Sequence, residues 1–161
     1  MKRTKNRDLA LIPVLITASV LLTSCGASGQ NAPTRMIKQV TDGVEKDVGS
    51  LLARNVLLVA QPDGSAVLVG TFINEGTDQD AITGIKVNGA AMKLDKAPYE
   101  LLQNQPITFS GDTANAKGSI DGLNVTPGNR VSMEVSYANA GVIKLDVLVL
   151  AKDGVYQNVS Q

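Results

Sequence analysis

The stretch Val131-Ser-Met-Glu-Val-Ser-Tyr137, with Ala138-Asn-Ala-Gly141 and Val142-Ile-Lys-Leu-Asp-Val-Leu-Val149 after it, decides the fold of this chain. On both sides of the central four residues, apolar side chains recur at every second position. Successive side chains of a β-strand point to opposite faces, so this period of two predicts two strands with one buried face. The small turn residues between them predict a β-hairpin.

A second pair of candidate strands precedes this hairpin. Residues 55–61 and 66–74 are rich in β-branched and apolar side chains, and the turn Pro62-Asp-Gly-Ser65 separates them. Proline and Asp-Gly suit the backbone angles of a tight turn. Shorter candidate strands cover residues 82–87, 106–109 and 118–123. Many short strands with almost no helical periodicity predict an all-β sandwich of about seven to nine short antiparallel strands.

One segment of the sequence, residues 36–48, leaves two alternatives open. Met36, Ile37, Val40 and Val44 occur at helical spacing, yet residues 36–41 also fit a strand that ends at Asp42-Gly43. The β-branched content and Gly43 favour the strand.

The composition points to a packed domain that is not an enzyme. The 161 residues are 43% apolar and 19% charged, and none is histidine, the side chain that most often moves protons near neutral pH. Residues 1–24 hold four cations and one anion, which leaves residues 25–161 with eleven cations, fourteen anions and a net charge of −3. An acidic domain has no basic patch for a phosphate backbone, so we expect no nucleic acid partner. No cofactor is expected either.

The first 24 residues have the order of a secretory signal peptide. Four basic residues come first, and the apolar run of residues 9–22 ends in Leu22-Thr-Ser24 before Cys25. The run has 14 residues and is interrupted by Pro13, whereas a transmembrane helix needs about 20 apolar residues. These features favour a cleaved signal over a retained membrane span.

Cys25 is the chain's single cysteine, and Leu22-Thr-Ser-Cys25 resembles the bacterial lipobox. That resemblance implies cleavage between Ser24 and Cys25 and attachment of lipid to the Cys25 sulfur. Two or three acyl chains give a stable anchor where one alone is marginal. We therefore expect a flexible tether at residues 25–34, a sandwich domain at residues 35–161, and a place on the extracytoplasmic face of the cell membrane.

The strand segments resemble a known family when they are taken in order. Val69-Gly-Thr-Phe-Ile-Asn-Glu-Gly76, Asp80-Ala-Ile-Thr-Gly-Ile85 and Asp121-Gly-Leu-Asn-Val-Thr-Pro-Gly128, followed by the terminal hairpin, resemble the periplasmic copper chaperone family called PCu(A)C. They are most similar to its divergent actinobacterial relatives, the LpqE-like lipoproteins. The resemblance covers about residues 54–150 and implies a cupredoxin-like or immunoglobulin-like sandwich.

The family's Cu(I) ligands do not carry over to this sequence. Where the family has His-x-Met, the chain has Lys117-Gly118-Ser119, and the family's earlier histidine position falls near residues 92–95, which contain none. Thioether sulfur and imidazole are the ligands that Cu(I) prefers, whereas the cation of Lys117 repels a metal. We therefore expect no metal site, and Met92 is only a weak candidate for a metal ligand. Met133 alternates with valines and is expected in the core.

These observations predict a binding or accessory module of the cell envelope, whose expected partners are the membrane and other envelope proteins. The alternative is a copper chaperone with a degenerate metal site.

Asp78 and Asp80 form a D-x-D pattern that could ligate calcium, although too few further oxygens lie nearby, so a plain turn is expected. The tail at residues 155–159 alternates in polarity and fits either an edge strand or an exposed peptide.

Overall fold

The computed structural model describes residues 41–160, which form an all-β domain. Its eleven strands are, in chain order, β1 Val44–Val48, β2 Leu51–Ala60, β3 Ala66–Asn74, β4 Asp80–Val87, β5 Ala90–Ala91, β6 Lys93–Leu94, β7 Tyr99–Leu101, β8 Ile107–Phe109, β9 Gly118–Ile120, β10 Arg130–Tyr137 and β11 Val142–Leu150. A short 3-10 turn, Gly154–Tyr156, follows β11. No helix within residues 41–160 is long and apolar enough to span a membrane.

The two predicted hairpins are confirmed. Strands β10 and β11 pair antiparallel, with Val131 opposite Val147 and Val135 opposite Ile143, so apolar side chains face the same side. The antiparallel pair of β2 and β3 places Leu58 opposite Leu68. The turn between β2 and β3 closes as predicted, with the Asp63 carboxylate accepting hydrogen bonds from the Ser65 backbone and hydroxyl.

All eleven strands belong to one curved sheet that is nearly closed into a barrel. Its main path runs β5-β4-β10-β11-β2-β3-β9-β6, while β1, β7 and β8 pair beside it with β2, β4 and β3. The end of β11 crosses to β2 and pairs with it in parallel, Val149 with Leu58 and Leu150 with Val59. At the opposite corner only Met92 separates β5 from β6, so chain continuity links the two ends of the path.

The strand count and the pairing differ from the sequence-based expectation. Eleven strands replace the expected seven to nine, because β5, β6 and β7 are only two or three residues long and leave no periodic signal. The β11–β2 pair is parallel, although only antiparallel strands were expected.

The structure describes only part of the ambiguous N-terminal segment. Of the predicted strand at residues 36–41 only Thr41 is described, and it is not in a strand. Val44–Val48 is a strand, and it begins after Asp42-Gly43, where the predicted strand was expected to end. Met36, Ile37 and Val40 lie outside the described residues, and so do the signal peptide, Ser24, Cys25 and the tether.

The core is apolar and includes an edge-to-face aromatic cluster. The Phe109 ring contacts Phe72 and Tyr99 with centroid distances of 5.8 Å and 5.4 Å, and all three side chains are almost fully buried. Met133 lies in this core, as expected. Thr41–Gln161 form a compact unit, so we expect this part of the chain to fold without the preceding residues.

Asn74 is a buried polar residue at the end of β3, and all its side-chain atoms are hydrogen-bonded. Its amide nitrogen donates to the carbonyls of Asp78 and Leu101 at 2.7 Å and 3.1 Å. Its amide oxygen accepts from the Gly76 N–H at 2.9 Å and from the Ser50 hydroxyl at 3.2 Å. These bonds join the β1–β2 turn, the loop after β3 and the end of β7.

We predict that Asn74→Ala lowers the free energy of unfolding by about 2–3 kcal/mol, because it removes four hydrogen bonds of a fully buried side chain. Urea unfolding of residues 26–161 measures this loss. The control is Asn139→Ala, which removes an exposed side-chain hydrogen bond to the Gln79 carbonyl and should cost well under about 1 kcal/mol. Equal losses in the two variants would contradict the role given to Asn74.

Candidate functional site

The structure brings together the two segments that the family resemblance assigned to copper. Strands β6 and β9 pair antiparallel, with Lys93 opposite Ser119 and Leu94 opposite Gly118. Residues 92–95 and 117–119 are therefore neighbours across one short ladder, although more than twenty residues separate them in sequence. This ladder is the end of the main sheet path.

Met92 lies beneath this ladder with only 7% of its surface exposed. A Cβ atom added at Gly118 would be 2.9 Å from the Met92 sulfur and 3.4 Å from the Leu68 Cβ. A larger residue at position 118 would therefore require the Met92 side chain to shift. The thioether packs in the hydrophobic core, and its assignment as a weak metal ligand stays a prediction.

A polar network holds the residues after β6 against the residue before β9. The Asp95 carboxylate accepts hydrogen bonds from the Tyr99 hydroxyl and, at 2.8 Å, from the Lys117 N–H. The Lys117 carbonyl accepts from the Asp95 N–H at 3.2 Å and lies 3.1 Å from the Tyr99 hydroxyl oxygen. The network therefore binds both backbone polar groups of Lys117.

The same network shifts the pKa values of its two titratable members in opposite directions. The hydrogen bond from Tyr99 and then the one from the Lys117 N–H lower the pKa of Asp95. Burial, followed by the hydrogen bond to Asp95 and the charge of Asp95, raises the pKa of Tyr99 to about 12. Asp95 is therefore ionised and Tyr99 protonated throughout the neutral range.

An open cleft of about 620 Å³ lies over the β6–β9 ladder. Its floor comes from β3, β6 and β9, one wall from residues 110–116, and another from the C-terminal residues 155–160. Ser110 on the first wall has a φ of 65°, a left-handed conformation that is uncommon for a serine.

The charged residues that line the cleft differ in their partners. Lys93 forms an ion pair with Asp121, outside the cleft, and Asp95 is held by the network described above. Lys117 and Asp112 also line the cleft, and among residues 41–160 neither side chain has a hydrogen bond or an ion pair. The side chain of Lys117 is exposed.

The C-terminal tail forms part of the site, which the sequence pattern did not indicate. Residues 155–159 form no strand, so the edge-strand alternative is wrong, and the segment begins in a 3-10 turn. The Tyr156 hydroxyl donates to the Asp42 carboxylate at 2.8 Å, and the Lys152 ammonium donates to the Gln61 amide oxygen at 2.8 Å. Long-range contacts of this kind leave no signal in a local pattern.

Asp78 and Asp80 both accept hydrogen bonds that hold neighbouring segments of the chain together. Asp80 accepts hydrogen bonds from the N–H groups of Asn139 and Ala140 at 2.9 Å and 3.0 Å, which ties the β10–β11 turn to the start of β4. The Asp78 backbone carbonyl accepts from the Asn74 amide. Within residues 41–160, no group of three or more His, Cys, Asp or Glu side chains is placed to hold a metal ion.

Comparison with solved structures identifies the fold. The apo PCuAC domain from PmoF1 matches with a TM-score of 0.58 and 23% identity, covering 67% of this chain and 99% of that domain. The copper-bound PCuAC domain from PmoF2 matches with a TM-score of 0.57 and 16% identity, covering 67% and 98%. The fold is that of a PCuAC domain.

The PCuAC fold is shown by the comparison of structures alone. The apo PCuAC domain from PmoF2 also matches, with a TM-score of 0.57 and 18% identity over 69% of this chain and 98% of that one. No family model and no curated protein matches the sequence. The sequence-based resemblance to PCu(A)C is thus confirmed at the level of the fold.

We predict that Tyr99 ionises only near pH 12 and that Asp95→Asn moves its pKa back toward the ordinary value of about 10. The raised pKa also implies that the free energy of unfolding decreases as pH rises from about 10 to about 12, because the unfolded phenol ionises first. Titration of the tyrosine ring signals by NMR measures each pKa.

The matched control for this titration is Asp42→Asn. It removes the carboxylate that accepts the Tyr156 hydrogen bond and should lower only the pKa of Tyr156. A Tyr99 titration that is identical in the Asp95→Asn variant would show that burial alone sets its pKa.

Proposed function

We propose that this protein is a lipid-anchored lipoprotein on the extracytoplasmic face of a bacterial membrane, where it is a non-enzymatic binding or accessory module of the cell envelope. The observation that most directly supports a binding module is the cleft over the β6–β9 ladder. It is open on a PCuAC-like fold, yet Lys117 and Ser119 occupy the positions at which the family resemblance places histidine and methionine.

The chemistry of the cleft favours binding over catalysis. General acid–base catalysis at neutral pH requires a group whose pKa lies near the working pH. In the network beside the cleft, the pKa of Asp95 is lowered and that of Tyr99 is raised to about 12, so both move away from neutrality. The sequence contains no histidine to fill this role.

The proposal of a membrane anchor rests on the sequence before the described domain. The signal-like residues 1–24 lead directly into Cys25, and lipid on that sulfur would leave the mature chain without a thiol. A domain in an oxidising compartment would then be stabilised by its core and sheet alone.

We predict that the native protein stays with washed membranes and that Cys25→Ala moves it to soluble or unprocessed fractions. Mass spectrometry of the mature N-terminus should find acyl chains on Cys25. Ser28→Ala in the tether is the control, because it changes a small residue away from the expected cleavage site and should leave both results unchanged. A correctly cleaved Cys25→Ala protein that remains on membranes would contradict the anchor.

The second candidate function is copper binding through a degenerate site. Two observations favour it: one of the matching domains is copper-bound, and the Met92 sulfur lies beside the β6–β9 ladder. Thioether sulfur suits Cu(I), but the buried position of Met92 and the cation at Lys117 both oppose metal entry.

We predict that residues 26–161 show no saturable Cu(I) binding in an anaerobic titration against a competing chelator. Saturable binding that is lost in Met92→Leu and kept in Met133→Leu would instead establish the copper alternative. The Met133 control is matched in chemistry because its thioether is also buried in the core but lies on β10, outside the β6–β9 ladder.

A further inference from the structure

The size and exposure of the cleft over the β6–β9 ladder match a site for a small ligand. Its volume of about 620 Å³ falls within the range of roughly 300–1,000 Å³ that is typical of small-molecule sites. Its base is the hydrogen-bonded sheet, and its left-handed Ser110 is the kind of backbone conformation that is found preferentially at functional sites. The floor is therefore built from hydrogen-bonded strands.

The cleft offers apolar surface at its floor and at its mouth. Leu94 forms part of the floor, and Val155 and Val159 line the wall that the C-terminal tail provides. Val155 is 84% exposed and is one of only two large apolar side chains within residues 41–160 that are strongly exposed. Exposed apolar surface beside a cavity is a feature of ligand sites.

The polar groups of the cleft favour an anion. Within residues 41–160 the Lys117 side chain has no hydrogen bond or ion pair, whereas its backbone is held by Asp95 and Tyr99. The hydroxyl of Ser119 can donate a further hydrogen bond. The opposing charges in the lining are Asp95 and Asp112. The Asp95 carboxylate already accepts hydrogen bonds from the Tyr99 hydroxyl and the Lys117 N–H. Asp112 belongs to a run of exposed residues in the wall, whereas Lys117 directly precedes the β9 strand of the floor.

We propose that this cleft binds an amphiphilic anion, a ligand with one negatively charged head group and a short apolar body. The head group pairs with the Lys117 ammonium, and the body lies along Leu94, Val155 and Val159. This inference rests on the proposed function, because it names the ligand class of the binding module. Carboxylate and phosphate head groups meet the same requirement, since lysine recognises an anion as a compact point charge.

The test is a calorimetric titration of residues 26–161, which contain the compact unit, with four ten-carbon probes. Decanoate, decyl phosphate and decylamine are used below their micelle concentrations, and decanol below its solubility limit. The anionic probes should bind best, and backbone NMR shifts should cluster at Gly111, Gly118 and Ser119. The ratio of decanoate to decyl phosphate affinity distinguishes the two head groups. Preferred binding of decylamine would assign the cleft to cations through Asp112 and overturn the proposal.

Two variants and one control test the residues. Lys117→Gln should weaken decanoate binding about tenfold and leave decanol binding unchanged, because only the charged partner is lost. Lys86→Gln removes an exposed cation on β4, outside the cleft, and should change neither. Ala114→Trp, at an exposed position of the wall, should block every probe. Equal effects of the two lysine variants would overturn the proposal.

The outcomes separate this inference from the proposed function. A chain that binds neither the anionic probes nor Cu(I), yet stays membrane-anchored through Cys25, refutes the amphiphile site and keeps the anchored module. A chain that binds Cu(I) through Met92 refutes the leading function whatever the amphiphile result.

Discussion

The architecture depends on the way β11 is shared between two parts of the sheet. Val142–Leu148 pair with β10, and the next two residues, Val149 and Leu150, pair in parallel with β2. The strand thus turns the sheet around the core, while the short link at Met92 joins its two ends on the other side. The β6–β9 ladder is only two residues long, and β9 is joined to the rest of the sheet by its pairing with β3. The floor of the cleft is therefore continuous with the sheet that surrounds the core.

The parts of the fold that could be predicted from the sequence are those with a long local pattern. Strands β10 and β11 show an unbroken period of two, and the β2–β3 turn carries Pro62-Asp-Gly, whose backbone preferences act within a few residues. Asn88 and Gly89 mark the β4–β5 turn, where both have positive φ, as a two-residue hairpin loop of this type requires. In contrast, β5 and β6 are too short for any period, and the crossing of β11 to β2 depends on distant contacts.

The candidate site was only partly predictable for the same reason. The family resemblance pointed to residues 92–95 and 117–119, and the structure pairs these segments. It could not point to the tail wall, because the bonds that hold the tail, from Tyr156 to Asp42 and from Lys152 to Gln61, join residues about a hundred positions apart. Nor could it find the Asp95–Tyr99 bond, because nothing in the spacing of these two residues shows that both meet Lys117. The fold is thus shared at 23% identity with the PCuAC domain from PmoF1, and such a likeness does not carry over the side chains of a site.

The backbone of Lys117 is held in place independently of its side chain, so the same fold can present different side chains at this position. Its N–H and C=O are both hydrogen-bonded within the Asp95–Tyr99 network, so the backbone is held by groups that do not depend on the Lys117 side chain. The neighbouring Gly118 leaves room for the Met92 sulfur, which would have to shift if a Cβ were added there. Residues 117 and 119 are then free to vary on a fixed backbone: soft ligands there would suit Cu(I), whereas an ammonium and a hydroxyl suit an oxyanion. The change of chemistry requires no change of fold.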